Sequence, residues 1–196
     1  MVGDYTRTMR EVAAAGGKPK PVWMTLQIAW SGVSKPGKTL RMPNFPEERF
    51  MTYQAIINGA RGLVYFGGHV PQAWSERDRG LGWNWAFWER VLGPLVEEVG
   101  TKSPLAPALV APDSKLPVKV DGAEGVEFVV RETSDALFLL ACKREGKTVQ
   151  ARFTGLPAAI GDGEVLYESP RRVRAENGTL VDWFAPFDVH VYRFAK

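Results

Sequence analysis

The sequence has little of what specialised chemistry requires. Of its 196 residues one is a cysteine, Cys142, so no intrachain disulfide forms, and within the apolar run ALFLLAC it reads as a reduced, buried thiol. Histidine is almost as scarce, with only His69 and His190. No grouping of His, Cys, Asp and Glu has metal-ligand spacing, so neither a metal nor a cofactor is expected. A Walker loop, a dinucleotide fingerprint and a G-x-S-x-G elbow are all missing, which removes the commonest nucleotide and serine-hydrolase readings. Charge of one sign is not concentrated either: 25 basic and 22 acidic residues are interspersed for a net +3, so no nucleic-acid partner is expected. No window approaches 18 consecutive apolar residues, and the N-terminus lacks the apolar core of a signal peptide. A soluble protein without a membrane partner follows as the expectation, its compartment unspecified.

What is present is ordinary globular composition, 45% hydrophobic and 24% charged, enough for a packed core. The first segment, TRTMREVAAAGG, spaces Met9, Val12 and Ala13 as a helix with a glycine stop. PVWMTLQI at 21–28 is an apolar run suited to a strand buried on both faces. NFPEERFMTYQAIINGA opens with proline and acids and ends at Gly59, which predicts a helix. RGLVYFG reads as a second buried strand, and WAFWERVLGPLVEEVG as a helix interrupted at Pro94. Strand, helix, strand, helix is the order of a parallel α/β sheet. Two strands leave both sheet edges open, so a homo-oligomer, most simply a dimer paired through those edges, is expected.

TKSPLAPALVAPDSKL marks a composition shift, after which the hydrophobic period becomes two. VEFVVRE, ALFLLAC, TVQARF, EVLYE, RRVRAE, TLVDW and VHVYRF are short β-rich runs, and Asn177-Gly178 is a two-residue hairpin signal. The expected fold class is therefore α/β plus all-β: a partial (β/α)-barrel segment at 1–104, a Pro/Ala-rich linker at 105–116 and an antiparallel β-sandwich at 117–196.

PVWMTLQIAW, EERFMTYQAIINGARGLVYFG and the ending DWFAPFDVHVYRF together resemble the C-terminal part of a (β/α)8-barrel glycoside hydrolase, of the clan A or β-galactosidase-like kind, with its terminal sandwich. The resemblance implies that PVWMTLQ is similar to the seventh barrel strand and RGLVYFG to the eighth, so that the chain supplies about a quarter of a barrel needing roughly 250 residues. It implies a carbohydrate substrate or ligand. It also places Gln27 where retaining members of that clan carry their nucleophilic carboxylate, which an amide cannot replace.

Barrel sites lie at the C-terminal ends of strands. Trp30, His69, Trp74 and Trp83 would then ring the mouth with stacking surfaces and one imidazole, joined by Gln27 and Arg41 as polar contacts. Trp85 and Trp88 fit the last helix instead. Glycoside hydrolysis usually needs two carboxyl groups, about 5–5.5 Å apart for retention. The acids available in a strand-end loop are Glu76 and Asp78, beside Arg77 and Arg79; they are the catalytic candidates, and a solvated mixed-charge loop is the competing reading. Glu47 and Glu48 sit in a helix first turn, where acids complement the dipole. Two functions stay open: a glycoside hydrolase-like enzyme, or a non-catalytic carbohydrate-binding protein or remnant of a longer glycosidase.

Overall fold

The computed structural model describes residues 1–18, 20–28, 42–66, 76 and 85–196, without the side chain of residue 85. Helix α1 (Val2–Ala14) leads to strand β1 (Trp23–Gln27), helix α2 (Phe45–Ile57) and strand β2 (Gly62–Phe66). The α1 face expected to pack is not the packed one: Gly3 and Thr6 are buried, whereas Met9 and Val12 are exposed. Close approach explains this. A Cβ on Gly3 would lie 2.6 Å from Asn58 Nδ2, and the Gly3 N–H donates to Gln54 Oε1 at 3.1 Å. Apolar spacing alone cannot show that a small residue makes the contact.

Asn44 caps α2 by accepting from the Glu47 N–H, Glu47 returns the bond to the Asn44 N–H, and Pro46 occupies the first turn. Strands β1 and β2 pair in parallel, with Trp23 opposite Gly62 and Gln27 opposite Phe66. The expectation that both strands are buried on both faces needs correction. Leu26 is buried and Leu63 and Tyr65 pack against the core, but Trp23, Val64 and Phe66 are exposed. The strands alternate because, among the described residues, one face is covered and the other is not.

The interruption expected at Pro94 takes a specific form. A helical turn at Trp85–Phe87 continues as a π-helical turn at Trp88–Leu92, and then as helix α3 (Gly93–Val99). The Gly93 N–H reaches back to Trp88 O, and the wider turn accommodates a proline that has no N–H and whose ring crowds the preceding turn. The stretch 105–116 contains helix α4 (Ala106–Val110), with Leu105 and Ala108 fully buried.

The remaining strands are β3 (Lys119–Asp121), β4 (Val126–Glu132), β5 (Ala136–Lys143), β6 (Val149–Thr154), β7 (Asp162–Leu166), β8 (Arg172–Arg174), β9 (Leu180–Phe184) and β10 (Val189–Ala195). They form two antiparallel sheets, ordered β4-β5-β10-β7-β8 and β3-β6-β9. Every β-rich run expected from the sequence overlaps one of them. Strand β5 is buried at all eight positions because both of its faces are covered. Ala136, Phe138, Leu140 and Cys142 join a core with Phe50, Tyr53, Leu95 and Leu105; Leu137, Leu139 and Ala141 join another with Phe153, Leu180 and Phe184 of the smaller sheet. Cys142 is thus the buried thiol that was expected, its pKa raised by burial and then by Glu127.

Candidate functional site

The parallel direction of β1 and β2 brings their C-terminal ends together at Gln27 and Phe66. Alternation sends Trp23, Thr25 and Gln27 to the same face as Gly62, Val64 and Phe66. That face is open: Trp23 is 66% and Phe66 63% accessible. Gly62 makes the Trp23 position workable, since a Cβ there would come within 2.4 Å of the indole ring. The indole therefore lies flat across the backbone of β2. The result is a strip with an aromatic ring at either end, a valine between, and the Gln27 amide at the end where barrel-type sites form.

An amide such as Gln27 both donates and accepts hydrogen bonds, and aromatic faces offer apolar area for sugar rings. Such groups are suited to contacts with a polar ligand and do not transfer protons. Of the two candidate acids, Glu76 is exposed, while Asp78 lies outside the described residues, as do Trp30, Arg41, His69, Trp74 and Trp83. Among the described residues no group of three or more His, Cys, Asp and Glu could hold a metal ion.

Behind the strip lies a group that the dipole reading of α2 undervalued. Glu48 is fully buried, and among the described residues neither carboxylate oxygen has a hydrogen-bond partner. Burial, then the nearby Glu47 charge, pushes its pKa up to about 8, so the carboxyl is largely protonated at neutral pH. Tyr65 bonds Thr52 Oγ1 at 2.9 Å, and burial raises its phenol to about 12. A carboxyl this perturbed is what active sites often hold, and what strained cores sometimes hold. The sequence carried no signal for it beyond the adjacent acids Glu47 and Glu48, of which one caps the helix and the other is buried.

His190, expected within the β region, is on β10. Its Nδ1 is 2.5 Å from Glu168 Oε1 and its Nε2 is 3.1 Å from Trp183 O. Arg171 joins Glu168 at 3.1 Å and Asp182 at 2.7 Å, and the Tyr192 hydroxyl donates to Asp182 at 2.8 Å. This network links β9 of one sheet to β10 of the other and is satisfied internally.

No family model matches the chain, and no curated protein sequence matches it. Solved structures do. The α-amylase of Geobacillus thermoleovorans, in complex with acarbose, superimposes with a TM-score of 0.51 at 12% identity, covering 100% of this chain and 42% of that one. A protein described as a glycoside hydrolase superimposes with a TM-score of 0.54 at 15% identity, covering 99% of this chain and 46% of that one. At these identities the likeness is one of fold, mixed helix and sheet with antiparallel sheets. The chain spans less than half the length of the structures it matches.

Proposed function

We propose that this chain is a glycoside hydrolase-like protein that acts on the glycosidic bonds of an oligo- or polysaccharide. In this reading β1 and β2 are adjacent strands of a (β/α) barrel, the two antiparallel sheets form an appended sandwich, and the boundary falls within 105–116. The observation that carries it is the fold likeness to glycoside hydrolase structures over essentially the whole chain. The parallel pairing of β1 and β2 supports it, since it brings Gln27 and Phe66 together at the C-terminal strand ends, where a barrel would meet a glycan. Glu76 and Asp78 are assigned as the carboxyl pair, with Trp30, Arg41, His69, Trp74 and Trp83 as further sugar contacts.

A second reading, a non-catalytic glycan-binding protein, is favoured by one specific observation. The end of β1 presents the amide of Gln27, and among the described residues the acid assigned to this end is the solvent-exposed Glu76. Both readings go with self-association: the open edges of the β1–β2 pair are assigned to a second copy of this chain.

The test is hydrolysis of a panel of aryl glycosides and soluble glucans by the purified chain, beside Glu76→Gln and Asp78→Asn. Turnover lost by about a hundredfold or more in either variant is expected of the enzyme. Binding of a glucan without turnover, weakened by Trp74→Ala, supports the second reading; neither turnover nor binding removes both.

A further inference from the structure

At the opposite end of the β1–β2 pair, away from the proposed glycan site, a cleft of about 740 Å³ opens between α1, the residues entering β1 and the turn between α2 and β2. Among the described residues four cations line it, Arg7, Arg10, Lys20 and Arg61, with a single carboxylate, Glu11. We infer that this cleft is a binding site for a phosphate- or sulfate-bearing anion.

The argument rests on how each charge is held. Arg7 is neutralised within the fold: it bonds Asp4, and its Nη1 lies 2.8 Å from Glu127 Oε1. Arg10 is held differently. Its Nη1 donates to the neutral carbonyl of Asn58 at 3.2 Å, and its side chain crosses Gly59, where a Cβ would lie 2.6 Å from that nitrogen. Gly59 also has a φ of +95°, so the position suits glycine twice over, and it lets the guanidinium lie flat against the chain. Position is fixed, while among the described residues no carboxylate pairs with the charge. Arg61 is held in the same way by Ala111 O at 3.1 Å. Its nearest carboxylate, Asp113, is 3.6 Å away and also lies 3.3 Å from the buried Arg131.

One carboxylate therefore serves two guanidiniums. Among the described residues Arg131 Nη2 is buried without a hydrogen-bond partner, its Nε meets Asp113 only at 3.3 Å, and burial and then Arg61 lower its pKa. Lys20 has no ion-pair partner among the described residues. Three cations converge on a concave surface with one lining acid, and two of them are orientated by backbone carbonyls. Tetrahedral oxyanions match planar guanidinium donors with several acceptors at once, which a halide does not. The cleft exceeds the size of a bare oxyanion, so the charged group is expected to be borne on a small molecule.

The experiment is calorimetric titration of the purified chain with inorganic pyrophosphate and, separately, with sulfate, against sodium chloride at equal ionic strength. Saturable binding of either anion above the chloride control is expected, weakened about tenfold by Arg10→Gln and severalfold by Lys20→Gln. Tighter pyrophosphate binding identifies a phosphate source, and tighter sulfate binding a sulfated one. Lys20 holds nothing in the described fold, so Lys20→Gln remains folded even where Arg10→Gln does not. Binding no stronger than chloride, or binding untouched by Lys20→Gln, overturns the assignment.

Discussion

At the scale of single residues, Glu48 shows how a charge-rich sequence can hide a destabilising group. Its folded pKa, about 8, lies above the ordinary 4.5. Between these values the folded chain holds a proton that the unfolded chain has released, so the contribution of Glu48 to stability is greatest below about pH 4.5, falls as pH rises, and levels off above about 8. Glu48→Met keeps the volume and removes the orphan oxygens. It is expected to stabilise the fold by roughly 1 to 3 kcal/mol at pH 8, and by less at pH 5. Urea midpoints measured at both values check this; an unchanged slope between them would show that Glu48 finds a partner in solution. Glu168 behaves oppositely. Burial works against its charge, but His190 and Arg171 outweigh that and hold it below the ordinary range. Its contribution is present above the unfolded pKa and is lost as pH falls through the folded one. Glu168→Gln should therefore cost about 1 kcal/mol or more at pH 7 and less near pH 3, read from thermal unfolding at the two values.

At the scale of elements, a few buried contacts decide how the helices meet the sheets. Arg49 Nε donates to Glu98 Oε2 at 2.9 Å, Tyr53 donates to the same oxygen at 2.9 Å, and Arg49 Nη1 donates to Val189 O at 2.7 Å. One guanidinium thus ties α2 to α3 and to β10. Glu98→Ala leaves Arg49 buried without its counter-charge and is expected to cost about 3 kcal/mol or more, measured as a lower urea midpoint; a loss under 1 kcal/mol would show that water replaces the carboxylate. None of this was legible in the sequence, where Arg49 and Glu98 are ordinary charges on predicted helices, 49 positions apart. The strands were legible because their signals are local. Alternating runs bounded by turn residues coincide with β4 to β10, and Asn177 and Gly178 adopt φ of 49° and 74° in the expected two-residue turn. Even there the sequence stopped short. Glu176 and Thr179 exchange backbone bonds, but β8 then pairs with β7 and β9 with β6, so the turn joins two sheets instead of extending a hairpin. Which sheet a strand enters is set by non-local pairing that no local run encodes.

For the whole molecule, the unusual feature is apolar surface on two neighbouring elements. Trp23, Val64 and Phe66 form one uncovered face on the β1–β2 pair, and Tyr5, Met9 and Val12 form a second along α1 at helical spacing. Sequence reasoning saw Met9 and Val12 as apolar positions of a helix and the strand residues as buried, because hydrophobic pattern reports what ought to be covered and not whether anything covers it. Isolated two-stranded sheets are marginal in water, and edges with apolar faces recruit other strands. If a second copy covers the sheet face, the interface must reach roughly 800 Å² per partner to be stable, which needs that face and its edge together. Sedimentation at micromolar concentration is then expected to show a dimer, and Val64→Asp, which puts a carboxylate at the centre of the strip, should shift it to monomer. Met9→Asp, on the α1 stripe, should leave the dimer intact and serves as the control. A monomer of the unaltered chain at tens of micromolar would remove the second copy as occupant. A dimer broken by Met9→Asp and not by Val64→Asp would move the interface to α1.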